Sequence, residues 1–366
     1  MQHIKRRKSK IKLILVVGAR PQFIKVWPLL EELNKENISF TLVHTGQHYD
    51  YEMSCVFFEE LTLSSPDINL EVGSYTGGKQ TALILMKMEE LLLSEQPTIV
   101  IVFGDTNSTL GAGLAAVKAG IPLAHIEAGL RSYNKSMPEE VNRLLIDHIS
   151  EFLFTPTLSS VENLYKEGII KGIYWTGDIM YDAFLKISPL LEQKRKEVLN
   201  KFNLSSYGYY LLTLHRASNV DNENLLNFWL TTLGKLDKPV VFPVHPRTGK
   251  KLEKLNINLS NFILLPPVSY VESLVLQKEA DKVLTDSGGV QKEAYWNRVP
   301  CITLREETEW IETVEAGWNK IIPPFTSPQK VIETIKEFTP PPMQLKFFGE
   351  GNCAKKCVEI ILKVLK

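Results

Sequence analysis

Short apolar runs rich in β-branched residues alternate with longer helix-patterned stretches along this 366-residue chain. Each run has the length of a strand, and each stretch between two runs can form a helix. This alternation is typical of βαβ units, whose parallel strands are buried between helices. The sequence therefore predicts an α/β protein with doubly wound parallel sheets.

The predicted strands form two sets. The first set is Leu13–Val17, Thr41–His44, Ile99–Phe103, Pro122–Ile126 and Phe152–Phe154, and the second is Tyr209–Leu214, Val240–Val244, Phe262–Leu265, Lys282–Leu284 and Cys301–Leu304. At about 150 residues per domain, the length also favours two domains. We place them at 1–172 and 173–350, and expect the amphipathic helix 353–366 to pack back on the first domain.

The charge balance and the cysteines limit the class of protein. Lys+Arg and Asp+Glu both total 42, which gives no reason to expect a nucleic-acid or membrane partner. No apolar stretch approaches the roughly 18 residues of a membrane span. The basic residues 5–10 precede an apolar run too short for a signal peptide, so we expect a solvated tail. Four cysteines without metal-ligand spacing favour a reducing cytoplasm and no structural metal.

The span His125–Arg143 holds three carboxylates, two arginines and one histidine, and it follows directly on the apolar run 121–124. Open α/β sheets bind ligands at the carboxyl ends of their strands. Asp105 and Glu127 follow strands that we predict to be neighbours, so their carboxylates could divide acid and base roles. Two alternatives are open: Asp105 can cap the next helix, and Glu139 can form a solvated salt bridge with Arg143.

Other strand ends carry groups that suit an anion. The first strand is followed by a glycine turn and a helix start with Arg20 and Lys25, which favours a phosphate or a developing anion. Dinucleotide and P-loop fingerprints are missing from the sequence, which disfavours NAD and ATP chemistry. His44 and His48 lack a third ligand, so we expect neither a metal nor a cofactor.

The second half places cations and a glycine-rich turn at its strand ends. His215-Arg216 and His245-Pro246-Arg247 follow two predicted strands, and Ser287-Gly288-Gly289 opens a helix. That turn suits a diphosphate, and Glu293 is placed to accept hydrogen bonds from ribose hydroxyls. The two halves together predict a nucleotide-diphospho compound bound in a cleft between the domains, where a proton is transferred.

Ten segments in order resemble the non-hydrolysing UDP-N-acetylglucosamine 2-epimerase family. They are GARPQFIK (18–25), HTGQHYD (44–50), GDTNSTL (104–110), HIEAGLRS (125–132), MPEEVNR (137–143), TGD (176–178), LHR (214–216), PVHPRT (243–248), TDSGGVQKEA (285–294) and LREETEW (304–310). The resemblance implies a GT-B-like fold with its active site in the interdomain cleft, and a homodimer. It also implies loss of the C2 proton with elimination of UDP, then re-addition of UDP with the proton delivered to the opposite face.

The resemblance also assigns residues at matching positions. The implied catalytic residues are the acid/base carboxylates Asp105, Glu127 and Glu139, and His215 near the diphosphate. The implied UDP and sugar contacts are Arg20, Lys25, Arg143, Ser287, Gly288 and Glu293. We also predict Gln47, Arg216, His245 and Gly289 as substrate-binding or UDP-binding residues. The implied partner is a UDP-2-acetamido sugar, used for cell-surface polysaccharide precursors without a cofactor.

Two segments depart from the common family pattern. The chain has GARPQ where GTRPE is commoner, and Trp310 stands where TERPE has an arginine. Both variants resemble the branch that acts on UDP-2,3-diacetamido-2,3-dideoxy-glucuronate, which is our alternative substrate. A hydrolysing epimerase, a GT-B glycosyltransferase and a non-catalytic UDP-sugar sensor are more distant alternatives.

Overall fold

The computed structural model describes residues 11–47, 65–244, 246–252 and 257–365, without the side chains of Arg20, Ala217, Pro246 and Arg247. His48 and His245, and the side chain of Arg20, therefore lie outside the described part of the chain. The backbone divides into two compact units. Unit 1 comprises Met1–Ala183 and Phe347–Lys366, and unit 2 comprises Phe184–Lys346.

In its described residues, unit 1 contains a seven-stranded parallel sheet in the order β3-β2-β1-β4-β5-β6-β7. The strands are β1 Lys12–Val17, β2 Ser39–His44, β3 Ile68–Asn69, β4 Ile99–Phe103, β5 Leu123–Ile126, β6 Phe152–Thr155 and β7 Ile173–Trp175. The order reverses at β1 and β4, as in the Rossmann fold, where ligands bind beyond the strand carboxyl ends.

The described helices of unit 1 cover both faces of this sheet. They are α1 Arg20–Lys35, α2 Gly77–Glu95, α3 Asn107–Lys118, α4 Pro138–Ile149, α5 Leu158–Lys166 and, from the carboxyl terminus, α14 Cys353–Leu365. Leu13, Leu15 and Val17 point towards α1 and α14, whereas Ile14 and Val16 point towards α2 and α3. The alternation follows from the two-residue period of a strand.

Unit 2 has the same strand order in its described residues, β10-β9-β8-β11-β12-β13, again all parallel. The strands are β8 Tyr210–Thr213, β9 Val240–Pro243, β10 Phe262–Leu265, β11 Lys282–Thr285, β12 Cys301–Thr303 and β13 Asn319–Ile321. Helix α6 Ile179–Lys201 runs from unit 1 into unit 2. The others are α7 Ala217–Val220, α8 Glu223–Leu233, α9 Pro246–Leu252, α10 Tyr270–Lys278, α11 Gly288–Trp296, α12 Ile311–Glu315 and α13 Pro328–Glu337.

The predicted fold class of two doubly wound parallel sheets is confirmed, and all ten predicted strands exist with ends shifted by at most two residues. The prediction missed β3, β7 and β13, which have only two or three residues each. Strand β7 changes the domain boundary. It pairs with β6 in the first sheet, so the units divide between Ala183 and Phe184 rather than at 172/173.

The carboxyl-terminal helix α14 is held in unit 1 by a buried aspartate. Asp182 accepts hydrogen bonds from the backbone N–H of Cys353 at 3.1 Å and of Ala354 at 2.9 Å. A carboxylate there satisfies two open donors of the first turn and faces the positive end of the helix. Cys353 and Cys357 lie on the buried face of α14, as their spacing predicts. Across the described ranges, every helix is too short or too polar to cross a bilayer.

We expect Asp182→Ala to lower the free energy of unfolding by about 1–3 kcal/mol, because two buried N–H groups lose their acceptor. Urea denaturation followed by circular dichroism measures the change. Glu359→Gln, on the exposed face of the same helix, is the control and should stay within about 0.5 kcal/mol of wild type. Equal stability of the two variants would contradict the role of Asp182 as the cap.

Candidate active site

Asp105 and Glu127 follow two adjacent parallel strands, as predicted. Phe103 of β4 is in register with Ile126 of β5, and the Gly104 N–H donates to the Ile126 carbonyl at 3.0 Å. Glu127 has φ +76°, in the left-handed region that non-glycine residues rarely adopt. Such backbone strain is often found at functional sites, where surrounding contacts hold it.

Each of these two carboxylates has its own cation. Lys25 of α1 pairs with Glu127, and Arg143 of α4 pairs with Asp105. The Lys25–Glu127 pair is nearly buried, whereas the Asp105 side chain keeps 29% exposure and can meet a ligand. A Cβ on Gly104 would lie 3.0 Å from Lys25 Nζ and 3.1 Å from Glu127 Oε2, so the glycine gives this pair its space.

The alternative reading of Asp105 as a helix cap is wrong. The N-cap of α3 is Thr106, whose side chain accepts a hydrogen bond from the Thr109 N–H at 3.2 Å. The Asp105 carbonyl accepts a hydrogen bond from Asn142 Nδ2 at 2.9 Å. Helix α4 thus holds Asp105 through both Asn142 and Arg143. The Asp105 carboxylate pairs with Arg143, and Thr106 caps α3 in its place.

The neighbouring residues Glu139 and Glu140 have different environments. Glu140 is buried and accepts hydrogen bonds from the Ser132 N–H and hydroxyl, both at 2.9 Å, and from the Tyr133 N–H at 2.8 Å. It also pairs with Arg143 at 2.9 Å. Glu139 is exposed in the first turn of α4. Arg143 therefore faces inward to Glu140 and Asp105, which differs from the alternative of a solvated salt bridge with Glu139.

A buried network lies beneath the loop that carries Glu127. His125 Nδ1 lies 2.7 Å from Asp147 Oδ1, and His125 Nε2 lies 2.8 Å from the Gly104 carbonyl oxygen. Asp147 Oδ2 accepts from the Gly129 N–H at 3.0 Å and from Arg131 at 2.7 Å. These contacts connect the ends of β4 and β5 to α4.

Charge within this network decides the ionisation of Asp147. Burial alone would raise the pKa of Asp147, but the charges and hydrogen bonds of His125 and Arg131 outweigh burial and hold the pKa below its usual value. The ionised carboxylate therefore contributes stability above its unfolded-state pKa. That contribution is lost as the pH falls through the lower folded-state pKa.

Gln47, a predicted ligand contact, forms side-chain hydrogen bonds within the protein. Its side-chain oxygen accepts from the Ser108 N–H at 2.9 Å and from the Ser108 hydroxyl at 2.6 Å. Thr45 Oγ1 lies 2.7 Å from the same hydroxyl. A Cβ on Gly18 would fall 1.9 Å from Ser108 Oγ, so Gly18 permits this close contact at the carboxyl end of β1.

In unit 2, Asp286 organises the loop that follows β8. It is fully buried and accepts hydrogen bonds from the backbone N–H groups of His215, at 3.1 Å, and Arg216, at 3.0 Å. Asn219 Nδ2 donates to it at 3.1 Å. The His215 ring keeps 51% exposure, with Nδ1 3.4 Å from Asp286 Oδ1. His215 is thus oriented by a carboxylate and open to a ligand.

The helix start predicted to hold a diphosphate is formed by Ser287 as N-cap and by Gly288 and Gly289 as the first residues of α11. A Cβ on Gly288 would lie 2.2 Å from Glu309 Oε1, so only glycine allows this approach. Glu309 lies 3.4 Å from Arg216 and 2.9 Å from Arg305. The helix start and two arginines thus gather around the Glu309 carboxylate.

Two residues of α11 have defined partners. Glu293, predicted as a ribose contact, is buried and accepts from Gln277 Nε2 at 2.8 Å. Lys292 is also buried and lies 3.9 Å above the centre of the Trp310 ring. Trp310 stands where the family pattern has an arginine, and its ring forms a cation–π contact with Lys292.

His125, Asp147, Asp286 and Glu309 were not predicted as site residues. The sequence does carry a signal for Asp147, because charged residues 140, 143 and 147 share one helical face, and in α4 this face is buried. Burial of three charges on one face requires partners. Within the described residues, no group of three His, Cys, Asp or Glu side chains could hold a metal ion.

Comparisons with known proteins agree over nearly the whole chain. The profile described as UDP-N-acetylglucosamine 2-epimerase matches residues 31–362. A UDP-N-acetylglucosamine 2-epimerase homolog of Methanococcus maripaludis is 47% identical over 358 residues, covering 96% of this chain and 99% of that protein. The UDP-2,3-diacetamido-2,3-dideoxy-D-glucuronate 2-epimerase of Pseudomonas aeruginosa is 38% identical, covering 97% and 100%.

A solved structure shows the same fold. The crystal structure of Methanocaldococcus jannaschii UDP-GlcNAc 2-epimerase in complex with UDP-GlcNAc and UDP superposes with a TM-score of 0.88 at 42% identity. It covers 96% of this chain and 100% of that one. Sequence and structure thus agree: the chain belongs to the UDP-N-acetylglucosamine 2-epimerase family, a family of isomerases with two Rossmann-like domains in a GT-B-like fold.

Proposed function

We propose that this protein inverts C2 of UDP-N-acetylglucosamine by eliminating and re-adding UDP. The observation that supports this most is the pair of carboxylates, Asp105 and Glu127, at adjacent strand ends with one cation each. The C2 proton of a sugar is weakly acidic, so its removal needs a positioned base. Inversion needs a second group that returns the proton to the opposite face.

Unit 1 supplies the proton-transfer groups in this proposal. Asp105, Glu127 and Glu139 act on the proton at C2, and the resemblance supports all three. Lys25 and Arg143 pair with two of these carboxylates, Glu127 and Asp105, and hold them in place. The left-handed backbone of Glu127 aims its side chain at Lys25 over Gly104.

Unit 2 supplies the groups for UDP. The start of α11, with Ser287, Gly288 and Gly289, offers backbone N–H groups to the diphosphate. His215 and Arg216 stabilise the negative charge that develops as UDP departs. The hydrogen bonds of Asp286 to this loop support the assignment, because they fix both residues beside β11. We keep Arg20 and His245 as proposed UDP contacts and Glu293 as the proposed ribose contact.

A second candidate substrate is UDP-2,3-diacetamido-2,3-dideoxy-glucuronate. The Pseudomonas aeruginosa relative named for this sugar supports it, as does Trp310 with Lys292 packed against its ring.

We also propose a cytoplasmic homodimer. Unpaired Cys301, Cys353 and Cys357 support a reducing compartment, and exposed Val141 and Leu145 on α4 support an interface.

The proposed reaction can be tested directly, because it exchanges the proton at C2 with solvent. Proton NMR of the protein in D2O with UDP-N-acetylglucosamine should show deuterium at C2 and interconversion of the gluco and manno forms. A parallel sample with the diacetamido-uronate compound separates the two candidate substrates. Accumulation of free N-acetylmannosamine would instead favour a hydrolysing enzyme, and UDP binding without exchange would favour a transferase or a sensor.

Glu127→Gln should lower turnover at least about 100-fold while the Kd for UDP changes by only a few fold, because this group acts on the proton. Isotope exchange at C2 and calorimetric titration with UDP measure the two quantities. Glu162→Gln, an exposed glutamate of the same unit, is the matched control and should behave as wild type. Unchanged turnover in Glu127→Gln would remove this residue from the mechanism.

The adjacent residues Glu139 and Glu140 allow a paired test. Glu139→Gln should lower turnover about 10-fold or more with unchanged stability, because the residue is exposed. Glu140→Gln should lower the free energy of unfolding by about 1–3 kcal/mol, because Arg143 loses a buried partner. Turnover assays and thermal denaturation of both variants provide the comparison. Loss of stability in Glu139→Gln with full turnover would reverse the two assignments.

A further inference from the structure

We propose that His125 and Asp147 are positioning residues that hold both acid/base carboxylates, Asp105 and Glu127, in working geometry. This inference rests on the proposed function, since it assigns a task to residues that do not themselves contact the reacting atoms. Neither residue belongs to the site set predicted from the sequence. Both are fully buried, with 0% and 1% exposure.

His125 connects the two strand ends that carry the carboxylates. It is the third residue of β5, two positions before Glu127, and its Nε2 lies 2.8 Å from the carbonyl oxygen of Gly104. Gly104 directly precedes Asp105 in the chain. One imidazole ring therefore fixes the turn of Asp105 relative to the strand that leads to Glu127.

Asp147 completes the frame from the other side. One of its oxygens lies 2.7 Å from His125 Nδ1, and the other accepts the Gly129 N–H at 3.0 Å. Asp147 thus contacts both His125, two residues before Glu127, and Gly129, two residues after it. Gly129 has φ +80°, and a Cβ there would lie 2.3 Å from the Ser160 carbonyl oxygen, so this turn has little room to shift.

The hydrogen bonds of His125 define the state of its ring. Both ring nitrogens face oxygens that can only accept, a carboxylate and a carbonyl. Both bonds form together only when each nitrogen carries a hydrogen. Arg131 is a third donor to Asp147, and it also donates two hydrogen bonds to Glu167, at 2.7 Å and 2.6 Å.

A network of buried charges is a poor way to gain stability alone, because desolvation offsets much of the attraction and apolar packing often does as well. We therefore attribute the network to the positioning of the two turns rather than to a gain in stability. The network ends on the two backbone turns that carry the proposed acid and base. Misplacing a catalytic group by about 1 Å can lower a rate about 100-fold.

The test compares two buried aspartates of unit 1. Asp147→Asn keeps the size and shape of the side chain. The neutral amide has only one acceptor oxygen, so it cannot replace the carboxylate that accepts from His125, Gly129 and Arg131. Asp182→Asn makes the same change at the α14 cap, away from the site, where the aspartate is 4% exposed. We expect kcat for C2 exchange to fall about 10-fold or more in Asp147→Asn, with KM and the Kd for UDP within about twofold. In Asp182→Asn, kcat should stay at the wild-type value.

Both variants are assayed below their unfolding transitions. If Asp147→Asn does not fold, His125→Gln provides the same test, because its amide can still donate to the Gly104 carbonyl but leaves Asp147 without its ring partner. NMR of protein labelled with 15N-histidine should show hydrogen on both ring nitrogens of His125 in the wild type. Asp147→Asn should lose the Nδ1 hydrogen signal.

Three outcomes are distinguishable. Wild-type protein that binds UDP without C2 exchange overturns the proposed function, and this inference with it. Wild-type exchange with an equal kcat in folded Asp147→Asn overturns only the positioning role. Equal losses of kcat in Asp147→Asn and Asp182→Asn would show a general effect of stability, and would also overturn it.

Discussion

In each unit, a buried aspartate accepts at least one backbone N–H from the loop at a strand end. Asp147 holds the Gly129 turn after Glu127, and Asp286 holds His215 and Arg216. A loop that leaves a parallel strand has open N–H groups, and burying them without acceptors would cost free energy. A carboxylate satisfies several at once. The proposed catalytic and anion-binding side chains depend on these two anchors for their positions.

Burying a carboxylate in this way costs desolvation free energy, which cationic or hydrogen-bonding partners must offset. Around Asp147 the compensation comes from His125 and Arg131, and Arg131 in turn requires Glu167. The result is a network in which removing any member deprives another charged side chain of one of its partners. Such a network gives the loop one geometry, and it lies directly beneath a residue with a strained backbone, Glu127.

Much of the fold and part of the site could be predicted from the sequence. The alternation of apolar and helical stretches predicted both sheets, and strand neighbours followed from the βαβ rule. Asp105 and Glu127 were therefore predicted to be close because each ends a strand. The short edge strand β7 was missed, since Ile173–Trp175 has only three residues, too few to show the period of a strand. Its pairing with β6 also moved the domain boundary.

By itself, the sequence determined where ten of the strands lie along the chain and which acidic and basic residues follow them, because periodicity and chain position are local properties. Only the tertiary structure decided which acidic side chain pairs with which basic side chain. Lys25 reaches Glu127 across 102 residues, and Arg143 turns to Asp105 and Glu140 rather than to Glu139. Those pairings depend on how α1 and α4 pack on the sheet, and packing angles and side-chain directions are not encoded in any one segment.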